Sequence, residues 1–218
     1  MIRYRLSLIA LALFLGAGFC QADFKAKDGL LIMEAESHSG GKGDWDKETF
    51  IEGYTGECHY EFTGNSIMGG APNSDLKYRF TVDKDGIYHL WIRAHKRLVG
   101  DDGKKAKHDL CNDCWIRMKG DFESGNDTPL EILESDTKLY VHGKSAETWD
   151  WTHRLDYKHP ETGKHKFSAP VYRLKAGEKY TLYISGRSRR FNMDRIVLKH
   201  EDIPTHEAQA PEQAESEQ

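Results

Sequence analysis

The chain has 218 residues, with 31 Lys and Arg against 35 Asp and Glu, a formal net charge of −4, and 38% hydrophobic residues including 5 Trp, 10 Tyr and 9 Phe. That near balance, with no basic stripe, argues against nucleic acid as a partner. The aromatic content is enough for a core built from strands, where large rings are favoured and bury much area.

At the N-terminus, Arg3 and Arg5 precede an apolar stretch from Leu6 to Phe19, followed by Cys20-Gln21-Ala22. This is the layout of a secretory signal peptide. Cleavage after Ala22 is expected, because the Phe19 before Cys20 is a poor fit to lipoprotein processing. The apolar run is too short for a membrane span. The expected organisation is residues 1–22 as leader, 23–200 as one β domain and 201–218 as an acidic tail. The expected location is outside the cytoplasm, periplasmic or extracellular.

The first strand of the mature chain is Leu30–Glu36, in which Glu34 and Glu36 interrupt an apolar run. A strand alternates its side chains between two faces, so acids inside such a run need a reason. The last strand, Phe191–Lys199, repeats the anomaly at Asp194. If these two segments pair, Glu34, Glu36 and Asp194 converge, and three carboxylates suit a hard cation such as calcium. The alternative places them on the solvent faces of unrelated strands. Phe191 and Met193 share one face, and Ile196 and Leu198 share one, but the two pairs are out of phase. One extra residue near Asp194 is required, which predicts a β-bulge.

Between these ends the reading gives strands at His59–Phe62, Leu76–Val82, Ile87–His95, Cys114–Lys119, Lys138–His142, Val171–Leu174 and Lys179–Ser185, with no convincing helix. Turn residues at Asp85-Gly86, Ala176-Gly177 and Ser185-Gly186 separate them. Phe80–Arg93 and Tyr172–Ile184 look alike, each a strand, a Gly-containing turn and an aromatic strand, and are read as one hairpin used twice. About nine short strands of this kind predict an all-β fold, an antiparallel β-sandwich. Trp91 and Trp115 fall inside strand patterns and are assigned to the core. Trp149 and Trp151 alternate, so one can be core while the other sits at a loop edge. Trp149 is chosen as a ligand-facing ring, and Trp45 is a weaker candidate.

Cys58, Cys111 and Cys114 remain after removal of the leader. The spacing of Cys111 and Cys114 is that of a redox or zinc half-site. No second Cys pair completes it, and Cys114 runs into a strand. One disulfide, from Cys58 to Cys111 or Cys114, is expected in an oxidising compartment. The segment with His153, His159 and His165 reads as a solvated loop. The loops 98–109 and 122–136 receive no role. Beyond His200 the chain holds six acids and no Lys or Arg, and is expected to be disordered.

A Glu-Ala-Glu strand, a Gly-Tyr-Thr-Gly loop at Gly53–Gly56, then Tyr60-Glu61-Phe62, two strand–Gly–strand units and a closing Phe-Asn-Met-Asp-Arg-Ile-Val-Leu follow in order. That order resembles the galactose-binding-like β-sandwich (jelly roll) of carbohydrate-binding modules, especially families 6 and 35, from Leu30 to Lys199. The resemblance implies a structural calcium on Glu34, Glu36 and Asp194. It implies sugar contacts from Tyr54, in the Gly-flanked loop, and from Asn192, before the last strand's aspartate. The implied activity is non-catalytic binding of an oligo- or polysaccharide, with a separately encoded polysaccharide-active enzyme as a further partner. No Gly-x-Ser-x-Gly, His-Glu-x-x-His or paired carboxylate motif points to catalysis. A hydrolase or lyase on this scaffold, and a protein-interaction sandwich, remain the alternatives.

Overall fold

The computed structural model describes residues 23–65, 72–142 and 147–218, so the expected leader lies outside the described residues. Among these residues fifteen strands alternate with short connections. They are β1 (Phe24–Lys25), β2 (Leu30–Glu34), β3 (Trp45–Glu48), β4 (His59–Phe62), β5 (Asn73–Thr81), β6 (Gly86–Lys96), β7 (Asp113–Lys119) and β8 (Glu123–Ser124). Then follow β9 (Thr137–Tyr140), β10 (Asp150–Thr152), β11 (Leu155–Lys158), β12 (His165–Ser168), β13 (Val171–Leu174), β14 (Lys179–Gly186) and β15 (Phe191–His200). Two short helices interrupt them, α1 (Leu130–Glu134) and α2 (Thr205–Ala208).

The strands form two sheets. One has the order β1-β5-β14-β7-β9-β11-β12. The other has the order β3-β4-β15-β6-β13-β8, with β2 also on β15 and β10 also on β6. Pairing is antiparallel except where β1 meets β5. This is the expected all-β sandwich, and each strand read from the sequence has its counterpart, although the first ends at Glu34 and the expected strand residue Glu36 lies in a 3-10 turn, Ala35–Ser37. Period-two patterning sets its core. Leu76, Tyr78 and Phe80 on β5 and Tyr180, Leu182 and Ile184 on β14 face Tyr88, Leu90 and Ile92 on β6 and Phe191, Met193, Ile196 and Leu198 on β15. Each such side chain contributes about 2 kcal/mol by leaving water.

The long central strand β15 carries the first consequence for the site. Along one side it pairs with β6, and along the other with β4 over its first half and β2 over its second. Its register against β6 shifts between Met193 and Arg195, which is the expected bulge at Asp194. The first and last strands therefore do pair, with Arg195 opposite Glu34.

Several expectations are corrected. The two look-alike units are not hairpins: β5 and β6 lie in opposite sheets, as do β13 and β14. Each unit is an arch across the sandwich, and the two arches pack together, Phe80 opposite Tyr180 in one sheet and Tyr88 opposite Tyr172 in the other. A Gly turn looks the same in sequence whether the chain returns beside itself or crosses the core. Trp91 and Trp115 are half-buried on outer faces, because Leu90 and Ile92, and Cys114 and Ile116, take the core phase. Trp91 stacks on His153, ring centroids 3.5 Å apart, so that histidine is not in a solvated loop. His165 lies on β12, paired with β11. Cys58, Cys111 and Cys114 are buried free thiols rather than a disulfide and a leftover. Cys58 precedes β4, whereas Cys114 sits on β7 in the opposite sheet; burial pushes the thiols of Cys58 and Cys111 up to about 11.

Residues 201–218 are not a disordered tail. Ile203 and Ala208 pack with Ile32 and Val197 in a second apolar cluster on the outer face. The chain then returns along β2: the Ser216 amide donates to the Ile32 carbonyl at 2.9 Å, and the Lys25 amide donates to the Glu217 carbonyl at 2.8 Å. The acids made this stretch look solvated, but its backbone groups and few apolar residues do the packing.

Candidate functional site

On the outer face of the second sheet, the side chains that alternate with the core residues come together. From β4 these are His59 and Glu61, from β15 Asn192, and from β6 Arg93 and His95; Asn192 stands opposite both Glu61 and His95. Two loops fold over this floor, one carrying Phe50 and Tyr54 and one carrying Trp149. His59 is fully buried among three rings: Phe50 at 5.3 Å, Tyr54 at 5.8 Å and Trp149 at 5.4 Å between centroids. His95 also meets Trp149 at 5.4 Å. Burial first, and then neighbouring His95, push the His59 imidazole down to about 4, so it is neutral at ordinary pH.

Trp149 is locked in place. Its indole N–H donates to the Glu52 carbonyl at 2.9 Å, and the Arg93 guanidinium lies 5.3 Å from its ring while donating to the Gly53 carbonyl. Phe50 is 51% exposed, and Tyr54 and Trp149 are half-exposed. Arg97 lies 5.1 Å from the Phe50 ring and forks onto buried Glu61, donating through Nε to Oε2 at 2.6 Å and through its second arm to Oε1. Those hydrogen bonds are the main cause holding the Arg97 guanidinium above its usual range.

Two of the four expected ligand residues, Tyr54 and Trp149, therefore meet around one histidine. Asn192 lies beneath them, fully buried, donating to Glu61 at 3.2 Å and to the Arg190 carbonyl at 3.0 Å. It shapes the floor and is closed off from a ligand. Trp45 belongs elsewhere: it is core, packed on Phe62 and Phe191, with its N–H on the Ser74 carbonyl at 2.8 Å. Phe50, His59, His95, Glu61 and Arg97 were not read from the sequence. The signal was there in His59-Tyr60-Glu61-Phe62, where the aromatic core phase leaves a histidine and an acid on the opposite face.

The three acids expected to hold calcium do converge, around Thr55. Glu34 Oε2 accepts from the Thr55 hydroxyl at 2.8 Å, and Asp194 Oδ1 accepts from the Thr55 amide at 2.7 Å. Glu36 Oε1 accepts from the Glu57 amide at 2.6 Å. Gly56, at φ +67°, leaves room for Glu36; a Cβ there would collide with its Oε1. The remaining oxygens decide the question of fit. Glu34 Oε1 accepts from Nε of Arg195 at 2.9 Å and from its second arm, and Asp194 Oδ2 accepts from Arg93 at 2.5 Å. Of the oxygens of these three acids, Glu36 Oε2 is buried without a partner among the described residues. Calcium takes six to eight oxygens. Here two guanidiniums and a hydroxyl already use those of Glu34 and Asp194. Among the described residues no group of three or more His, Cys, Asp or Glu side chains is placed to hold a metal ion. The residues as arranged fit an arginine-neutralised cluster, not a calcium cage. Burial is the largest influence on both Asp194 and Glu36, raising each carboxyl above its ordinary value.

No family model matches the chain, and no curated protein matches it. Solved structures similar to it include a GH26-CBM35 β-1,4-mannanase of Podospora anserina, 13% identical at a TM-score of 0.46, covering 82% of this chain and 29% of that one. The C-terminal CBM6 of a Zobellia galactanivorans laminarinase is 18% identical at a TM-score of 0.39, covering 78% and 98%. A CBM6 module of Clostridium stercorarium, solved with cellobiose, is 11% identical at 0.42, covering 82% and 98%. The chain thus spans under a third of the mannanase and nearly the whole of the single modules.

Proposed function

We propose that this chain is an exported, non-catalytic carbohydrate-binding protein that takes an oligo- or polysaccharide on the ring cluster of the second sheet. The observation that carries the reading is the trio Phe50, Tyr54 and Trp149, each partly open to solvent and each packed on one buried neutral histidine. Flat rings held in place offer an apolar surface for the C–H face of a sugar at little entropic cost. Arg97, Arg93 and the neighbouring loop carbonyls supply polar groups for its hydroxyls. Desolvating those hydroxyls keeps such binding weak. For catalysis, the buried acid of the floor is badly placed: Glu61 is gripped on both oxygens by Arg97, which leaves neither free to meet a glycosidic oxygen.

The test is calorimetric titration with soluble oligo- and polysaccharides, together with an assay for new reducing ends or unsaturated products. Binding that falls at least tenfold in Trp149→Ala, with an unchanged near-ultraviolet spectrum and no product released, is expected. Absence of binding to any glycan would favour the protein-interaction reading, and turnover would favour the enzyme.

A further inference from the structure

Beside the ring cluster, and sharing Arg97 with it, opens a cavity of about 500 Å³. The cations lining it are Arg97, Lys104, Lys105, Arg189 and Arg190, against three carboxylates, Glu61, Asp101 and Asp102. The excess of positive charge is unusual on a chain whose net charge is −4. All three acids are committed to neighbours. Glu61 and Asp101 both pair with Arg97, and Asp102 pairs with Lys104 at 3.4 Å. Lys105 and Arg190 have no carboxylate within ion-pair distance among the described residues.

The cavity is built rather than incidental. Arg190 holds a backbone φ of +70°, a left-handed conformation costly for a side chain of its size and concentrated at functional positions. Its amide donates to the Phe62 carbonyl, and its carbonyl accepts from the Arg97 amide, so the strained residue is fixed between β4 and the end of β6. From there its guanidinium crosses Gly100, where a Cβ would come within 2.6 Å, and donates to the carbonyls of Leu98 at 3.1 Å and Lys104 at 3.2 Å. One arginine thus organises the loop that carries Lys104 and Lys105. Its hydrogen bonds go to carbonyls, which do not neutralise it, and the carboxylate near enough to feel its charge, Asp102, is already paired with Lys104.

We infer that this cavity is an anion subsite adjoining the ring cluster, so that the preferred ligand is a negatively charged polysaccharide whose carboxylate or sulfate group is received by Lys105 and Arg190 while the neighbouring sugar lies on the rings. The inference rests on the proposed carbohydrate binding and adds the ligand's charge to it. A cavity with an excess of one sign of charge concentrates the opposite sign and binds it in a salt-dependent way.

The test uses matched pairs of polysaccharides: pectate with its fully methyl-esterified form, carboxymethyl-cellulose with hydroxyethyl-cellulose, and dextran sulfate with dextran. The anionic member of at least one pair should bind at least tenfold tighter than its neutral partner, and lose that advantage between 0.05 and 0.5 M salt as the charges are screened. Whether the carboxylate or the sulfate pair responds identifies the group. The exposed Lys105→Glu should cost at least tenfold, and Lys158→Glu, an equal charge change on β11 in the other sheet, should cost nothing. Lys105→Glu tests the site without touching Arg190, whose replacement disturbs the loop. Equal binding of charged and neutral partners, or equal losses in the two lysine variants, would overturn the anion subsite and leave carbohydrate binding standing. Binding to no member of any pair would overturn both.

Discussion

His59 shows how a single residue can be decisive and yet hard to read from sequence. A histidine between Cys58 and Tyr60 has no motif around it. Its role follows only from the phase of β4, which sends it outward, and from three rings that arrive from two distant loops. The same rule of phase explains Trp45, the weaker ligand candidate, whose ring points inward on β3. The consequence of burying His59 is testable. In the unfolded chain the imidazole titrates near its ordinary 6.5, whereas in the fold it titrates at about 4. Between those values the unfolded state binds more protons, so stability falls as pH falls. The protein should hold its full share of this stability above pH 6.5 and lose it progressively down to pH 4. His59→Gln should flatten that part of the curve of melting midpoint against pH. A slope unchanged in His59→Gln would show that the imidazole is not held neutral by the rings.

At the scale of elements, period-two alternation in apolar and aromatic runs made the long strands legible, and the phase break at Asp194 made the bulge legible. The short strands β8, β10, β11 and β12 lie in charged, broken stretches, where pairing with a neighbouring strand rather than local pattern creates the strand. The pairing of β2 with β15 was legible too, from carboxylates inside apolar runs. The sequence also contained the counter-ions, Arg93 and Arg195, but not their orientation toward those carboxylates. Arg195 and Glu34 are both 6% exposed at the side chain. Breaking a buried pair by removing one partner costs about 3–5 kcal/mol, because a charge is left uncompensated. Arg195→Gln should therefore lower the free energy of unfolding by about 3–5 kcal/mol, read as a lower denaturant midpoint at an unchanged m-value. A chelator should leave the wild-type melting curve in place. A midpoint lowered by chelator and restored by calcium would instead make calcium, not arginine, the partner of Glu34, Glu36 and Asp194.

For the whole molecule, the main surprise is the C-terminal segment, which composition alone assigned to solvent. After β15 the chain forms α2, seals the apolar patch around Ile32 and Val197, and runs back along β2. An uncovered β2 would present open amides and carbonyls at the rim of the sheet, an invitation to pair with another chain. The returning segment occupies them. Ile32 N–H donates to the Ser216 hydroxyl at 2.9 Å, Glu34 N–H to Glu215 Oε1 at 2.8 Å, and Arg195 to the Gln213 carbonyl at 2.9 Å. The strap thus reaches the same Glu34–Arg195 pair that ties the first strand to the last. Each of these hydrogen bonds contributes about 1 kcal/mol net, and together they come to about 3 kcal/mol before the apolar patch is counted. For a domain of this size 1 kcal/mol moves the melting midpoint by about 2–4 °C. Ending the chain after Asp202 should therefore lower the midpoint by about 6–12 °C and make the protein prone to self-association. A truncated chain that melts with the full one and stays monomeric would show that the strap does not lie on β2 in solution.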